Sequence, residues 1–274
     1  MPKNSFDIIY SPIENKILTE YRDGREKVKT EIAGIFEKYG TYPTNYQINK
    51  DKLKKIYAAI ALILATMQTR VINYIASGLT TMIDEARDAF INNTGLEVSE
   101  LSSTDRGILL GNNLWNEYIK QYNGKLLVDI KSEIENALSM NTRNEVIDGT
   151  IHGNSYTDII ANIKKDFDIA ASRAKGLSLY SNHKVYNESM LYMVDKAKVK
   201  GVKVQKYWRH NPEPHPRPTH LAADGRAADA NGVFHIGGKK TEAPGMFGDP
   251  EDDANCHCDM YFRIIEDNTE NNFK

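Results

Sequence analysis

Two cysteines among 274 residues are too few for a disulfide framework. Cys256 and Cys258 also stand one residue apart, where side chains on one strand face run parallel and do not meet in a disulfide. The opening residues, Met1 to Asp7, lack the basic and apolar regions of a signal peptide. The most apolar stretch, Ile56 to Thr69, is too short to span a bilayer and stops at Arg70. These absences predict a soluble chain made in a reducing cytoplasm, with no membrane partner. No His-Glu-x-x-His helix and no Gly-x-Ser-x-Gly elbow occurs. Gly237-Gly238-Lys239-Lys240 lacks the leading glycine and the Ser/Thr of a phosphate-binding loop, so it reads as a solvated turn. A formal net charge of only −2 gives no overall attraction to nucleic acid or membrane.

The composition is that of a folded chain, with 41% hydrophobic and 26% charged residues. Charge is nevertheless segregated. Ile160 to Arg209 holds eleven Lys/Arg against four Asp/Glu, and Glu251 to Lys274 holds seven acids against two bases. Solvated helix faces produce such counts, and so does a patch that meets a charged partner.

The character of the chain changes near residue 205. Six of the nine prolines and five of the seven histidines lie beyond it, and helical periodicity dominates before it. Leu53, Tyr57, Ile60, Leu64, Met67, Val71, Tyr74 and Gly78 recur in steps of three and four, which predicts one long helix from about Lys50 to Ile91. Asn49 is its candidate N-cap and Asn92-Asn93-Thr94-Gly95 its stop. Earlier, a helix is expected over Ile13 to Tyr39; later, one over Asn112 to Ser139. Ser155 and Asp158 have capping-box spacing at the head of a further helix, followed by another from Ala171 to Lys200 that ends at Gly201.

After Gly201 the period becomes two. Val202, Val204, Lys206 and Trp208 alternate with Lys203, Gln205, Tyr207 and Arg209, a strand pattern. A second strand is expected over Cys256 to Ile264, and a short helix over Pro218 to Ala223. The predicted architecture is α+β: an elongated, mostly helical body over residues 1–200, a small loop-rich α+β module over 201–266, and a tail over 267–274.

The chemistry lies in that module. Cys256 and Cys258, two apart, can present both thiolates to one metal ion, and His220 or His215 can add imidazole nitrogens. His257 is the weakest ligand candidate, because it falls on the opposite strand face. A structural zinc would explain how so loop-rich a segment stays folded, since metal binding supplies about 10–16 kcal/mol in zinc-finger peptides. The bland alternative is small buried cysteines and histidines that satisfy loop backbone groups. A thiol nucleophile with His220 as base lacks a third, orienting group, so no catalytic residue is assigned.

Taken in order, these residues resemble the C-terminal module of the phage Mu F-like minor head family. The carriers are Lys206-Tyr207-Trp208; Arg217-Pro218-Thr219-His220 running through Leu221-Ala222-Ala223 into Asp224-Gly225; Pro244-Gly245 with Phe247-Gly248-Asp249-Pro250; and Asn255-Cys256-His257-Cys258 running to Phe262. The family-motif residues are therefore Trp208, Arg217, Asp224, Gly225 and Asn255. The likeness extends upstream over Ser155 to Lys200, including Ser172-Arg173-Ala174. Two departures stand out: His257 replaces the family's usual arginine, and an Arg-Thr-Glu-like element is replaced around Tyr180 to Lys184, so no role is carried onto those residues.

The resemblance implies a structural protein, not an enzyme. It would be present in few copies, assembled into the procapsid in the host cytoplasm and retained in the virion head. It would contact the portal protein and/or the major capsid protein and aid head assembly or DNA delivery. Some relatives carry toxin or ADP-ribosylating domains after this module, and the sequence ends at Lys274, soon after the last expected strand. Two alternatives from other classes remain at this point: a metal-dependent nuclease or hydrolase, and a DNA-binding accessory that uses the basic segment 160–209 with steeply salt-dependent affinity.

Overall fold

A capping box starts one of the three long helices among the described residues. Asp158 N–H donates to Ser155 Oγ at 3.2 Å, while Ser155 N–H donates to the Asp158 carboxylate at 3.3 Å. The computed structural model describes residues 5–39, 50–96, 141–142, 144–145, 155–213 and 215–265. The elements are α1 (Ser5–Tyr39), α2 (Lys50–Thr94), α3 (Tyr156–Val199), β1 (Val204–Arg209), α4 (Pro218–Leu221), β2 (Phe234–Ile236), β3 (Lys239–Thr241), α5 (Pro250–Asp253) and β4 (Asp259–Ile264). This is the α+β arrangement expected, with helices first and a few short strands near the end. Asn49, the helix expected over Asn112 to Ser139, and the tail over 267–274 lie outside the described residues.

Three expected boundaries need correction. α1 begins eight residues earlier than predicted and carries Pro12 in its interior. The two helices expected over 155–200 are one, α3, because nothing between Phe167 and Ala171 breaks it: the intervening Asp168-Ile169-Ala170 holds neither proline nor glycine. The third correction concerns hydropathy. Arg70 does not end the apolar run of α2, since Val71 to Ile83 carries no charge. Lys54–Thr94 contains an 18-residue window of mean hydropathy 1.4, enough by length and composition to cross a membrane. A core helix meets the same criterion, and the buried residues Ile60, Leu64, Met67, Val71, Ile75 and Leu79 form one stripe. The stop of α2 is as predicted: Gly95 adopts φ 67° and its N–H donates to Ile91 O at 2.7 Å. Gly201, at φ 80°, likewise terminates α3, with Val202 N–H reaching Ala197 O at 3.0 Å.

The chain divides into two compact units, one formed by Met1–Pro12, Ser77–Tyr118 and Ser178–Lys274, the other by Ile13–Ala76 and Ile119–Leu177. Among its described residues the second is helical. Ile17, Tyr21, Val28 and Ile32 of α1, Leu64, Met67 and Val71 of α2, and Ile159, Ile163 and Phe167 of α3 are all buried. The three helices meet at Gly24, where a Cβ would lie 2.6 Å from Met67 Sδ and 3.6 Å from the Phe167 ring. Polar contacts frame this core: Arg25 to Asp168 at 3.2 Å and the Tyr74 hydroxyl to Glu20 at 3.2 Å.

The first unit joins helix ends to the strands. β1 and β4 pair antiparallel with Trp208 opposite Met260 and Arg209 opposite Asp259. Phe90 of α2 packs on Phe262 of β4 with ring centroids 5.2 Å apart, and Phe6 of α1 packs on Tyr186 of α3 at 5.7 Å. The turn read at Gly237-Gly238 joins β2 to β3, an antiparallel pair with Ile236 opposite Lys239. Both glycines have positive φ, 59° and 80°, as a two-residue type I′ hairpin requires. The hairpin itself was not anticipated, since three-residue strands are too short to show a period of two.

The close approach at Gly24 has opposite consequences for small and large replacements. Gly24→Ala should leave stability within about 1 kcal/mol, because the helix-propensity gain of about 1 kcal/mol offsets a shift of the flexible Met67 thioether. Gly24→Leu should lose about 1–3 kcal/mol through overpacking. Urea denaturation of both variants tests this, and equal stability of the two would contradict it.

Candidate metal centre

His220 is delivered by α4, a single turn that Pro218 opens at its first position, where the missing N–H is not needed. Its imidazole is fully buried, as are the thiols of Cys256 and Cys258. Among the described residues these three form a group whose ligand atoms all lie within 4.8 Å of one another. His220 Nδ1 stands 3.7 Å from Cys256 Sγ and 3.7 Å from Cys258 Sγ. Such a set of two soft sulfurs and one imidazole could hold a metal ion.

Two observations show that the donors fit. His220 Nε2, the ring nitrogen facing away from the sulfurs, is buried without a hydrogen bond, and the Asp252 carboxylate lies 3.4 Å from it. A carboxylate behind a ligating imidazole is the usual outer support of a metal-bound histidine. The two thiols also interact directly with each other. A hydrogen bond from Cys258 holds the Cys256 thiol well below the ordinary cysteine range against the opposing effect of burial, and the same partnership pushes Cys258 up.

The surrounding chain explains how residues distant in sequence meet. Arg217, immediately before α4, donates through Nε to Glu251 O at 2.7 Å and through its terminal nitrogen to Ala254 O at 2.6 Å. One guanidinium thus ties the histidine-bearing turn to the segment that delivers Cys256. That segment is built on Asp253, whose buried carboxylate accepts the backbone N–H groups of Phe247, Gly248 and Asp249 at 2.9, 2.8 and 3.1 Å. Asp249 in turn caps α5, accepting from Glu251 N–H at 3.0 Å. Asn255 then adopts φ 53°, the sole positive φ at a non-glycine among the described residues. Asparagine tolerates that conformation better than most residues, and it turns the chain so that Cys256 enters the core.

Trp208 forms the apolar wall. Its ring meets His220 edge-on at 5.4 Å and Phe234 at 5.4 Å, while Phe247 stacks on His220 at 5.6 Å. Asp224 and Gly225 return the chain to β1: Asp224 accepts from His210 N–H at 2.9 Å, and Gly225 N–H donates to Trp208 O at 2.9 Å. All five motif residues named from sequence therefore border the cluster or hold its frame.

Two sequence readings differ from the geometry. The cysteines do not lie on the strand, which starts at Asp259. The carbonyls of His257 and Cys258 are instead taken by side chains, Asn211 at 2.6 Å and His183 at 2.5 Å. The histidines also sort differently from the expectation. His215 is exposed and outside the three-residue group, and so is His257, which is half-buried. His210, which was not singled out, lies with Nδ1 3.6 Å from Cys258 Sγ. The only cue for it was its place one residue beyond the β1 pattern.

His183 was missed as well. It is buried in the stretch Tyr180 to Lys184, packs edge-on against Phe6 at 5.1 Å, and bonds the backbone beside a thiol. Gly245 explains the Pro-Gly loop: a Cβ there would lie 2.6 Å from His183 Nδ1, and its φ is 72°. Asp259 is fully buried opposite Arg209, whose guanidinium donates to it at 2.5 and 2.7 Å. Burial pushes the Asp259 carboxyl up, and the Arg209 pairing pulls it down.

A Cys/His cluster built from the α4 turn and the segment before β4, with His183 of α3 beside it, is thus the organised feature of this part of the chain. Residues 140–261 match the family model described as phage Mu protein F like protein. Over that span, a little under half of its length, the chain is similar to the phage Mu F-like family. A curated relative from Enterococcus faecalis (strain ATCC 700802 / V583), named NAD(+)--arginine ADP-ribosyltransferase EFV, is 27% identical over 135 residues. The alignment takes in 49% of this chain and 28% of the relative, so the chain spans little more than a quarter of that protein's length. No solved structure matches the chain significantly.

The role assigned to Asn255 gives a sharp test. Asn255→Gly should be close to neutral, because glycine reaches positive φ freely. Asn255→Val should cost about 1–2 kcal/mol, the strain of a left-handed residue with a bulky Cβ. Thermal unfolding of the two variants measures the difference, and a valine variant as stable as the glycine one would refute the assignment.

Proposed function

We propose that this chain is a minor head protein of a tailed phage, incorporated in the procapsid near the portal and aiding head assembly or DNA delivery. Its partners are other head proteins, the portal protein and/or the major capsid protein. It works in the host cytoplasm during assembly and in the virion head thereafter. The observation that supports this reading is the family match over 140–261, a span that takes in α3, β1 and the whole Cys/His cluster.

The role is structural. The cluster is buried under Trp208, Phe234 and Phe247, with little room for a polymeric substrate to reach it. Zinc is the metal that suits two thiolates and an imidazole, and a site of this kind stabilises a fold. The activity in the name of the Enterococcus relative belongs to a protein of which the alignment covers 28%, and it forms no part of this reading.

At least three of the eleven basic residues in segment 160–209 are tied into the fold. Lys206 is 7% exposed, Arg209 is engaged with Asp259, and Lys184 pairs with Glu188 at 3.9 Å.

Co-expression of the tagged full-length chain with the portal and major capsid proteins of the same phage tests the proposal. Portal or capsid protein should co-purify with the chain, and heads assembled in its presence should contain it in few copies. Absence of both partners from the eluate and of the chain from purified heads would overturn the reading. Chelator-sensitive cleavage of DNA by the purified chain would replace it with the hydrolase alternative.

A further inference from the structure

We propose that His210 supplies the fourth ligand of a metal ion held by His220, Cys256 and Cys258, closing a tetrahedral site of two sulfurs and two Nδ1 nitrogens. This rests on the reading above that the cluster binds metal.

Distances carry the argument. With metal–sulfur and metal–nitrogen bonds of about 2.3 and 2.0–2.1 Å, a tetrahedral zinc separates a sulfur from a nitrogen by about 3.6 Å. Three such edges are present: Cys256 Sγ to His220 Nδ1 at 3.7 Å, Cys258 Sγ to His220 Nδ1 at 3.7 Å, and Cys258 Sγ to His210 Nδ1 at 3.6 Å. Thiol hydrogen bonds alone account for them poorly. Each thiol carries one proton, yet Cys258 Sγ faces two imidazole nitrogens and His220 Nδ1 faces two sulfurs. A central cation with both thiols ionised satisfies these approaches, with His210, which stands outside the group whose ligand atoms all lie within 4.8 Å of one another, drawing in from its place beside Cys258 to complete the shell.

The fold also places His210 there by design of the sheet. Arg209 stands opposite Asp259 in the β1–β4 register, so one further step along the same ladder brings His210 beside Cys258. The Asp224 carboxylate fixes that step by accepting the His210 N–H at 2.9 Å. This gives the Asp-Gly motif a task, namely to hold a ligand at the end of β1. Four protein ligands leave no open coordination position, which is the mark of a structural site and not a hydrolytic one.

Metal analysis of the full-length chain, with cobalt(II) in place of zinc, tests the assignment. The parent should bind one zinc, and its cobalt form should show the intense ligand-field absorption of four-coordinate cobalt with thiolate charge transfer. His210→Ala should weaken cobalt binding by more than the roughly 10–100-fold typical of losing a supporting group, and should reduce the ligand-field intensity. His215→Ala should match the parent. If His210→Ala does not fold, His210→Cys decides: it should retain cobalt and gain thiolate charge-transfer intensity.

A His210→Ala chain with the parent's affinity and spectrum would overturn the role of His210 while leaving the three-residue site standing. So would a His210→Cys chain with no added charge transfer. Loss of cobalt on Glu213→Gln with none on His210→Ala would move the fourth position to that half-buried carboxylate. A parent that takes up neither zinc nor cobalt would remove the metal site altogether.

Discussion

The convergence of His220 on Cys256 and Cys258 is the constraint around which the end of this chain is organised. Two segments separated by a hairpin and several tight turns must bring three buried polar atoms together, and a buried polar group without a partner is costly. The surrounding residues meet that demand in layers. Arg217 ties the histidine turn to the cysteine segment, and Asp253 gathers three backbone N–H groups at its bend. Trp208, Phe234 and Phe247 shut out water. With few residues in regular strands, this part of the chain has a limited apolar core of its own. A bound metal contributing on the order of 10 kcal/mol would outweigh any single contact in it.

Much of this was legible in the sequence because the signals are local. The Ser155/Asp158 box, the stop at Gly95, the strand ending in Arg209 and the glycine turn at Gly237-Gly238 each follow from a few neighbouring residues. The pairing of His220 with the two cysteines was also anticipated, from ligand chemistry and order along the chain. What escaped notice depends on tertiary geometry. His215 and His210 are equivalent as letters in a proline-rich loop, and only the register of β1 with β4 puts one beside a thiol and leaves the other exposed. The cysteines looked like strand residues because alternation with His257 mimics a ladder, whereas side chains of Asn211 and His183 take the carbonyls there. The helix α3 was divided in two although its buried stripe continues at helical spacing through Phe167, Ala170 and Ala174, where small alanines take the place of the large apolar residues upstream.

Part of the charge and part of the hydropathy of the helices are taken up by the fold. The excess of lysine and arginine before residue 210 includes buried and paired members such as Lys206 and Arg209. The apolar length of α2 contributes a stripe of core residues. The similarity to the phage Mu F-like family spans 140–261, and within it the motif residues serve as framework: Asn255 by its backbone conformation, Arg217 by its carbonyl contacts, Asp224 and Gly225 by the return of the chain to β1.

Hydrogen exchange on the full-length chain, with zinc present and after its removal by a chelator, addresses the central claim most directly. Zinc should raise protection in Lys206 to His210, Arg217 to Gly225 and Asp253 to Met260 together, since one ion staples all three stretches, with little change in Ile13 to Gly34. Identical exchange in the two conditions would contradict the claim and leave the cluster as an ordinary buried contact.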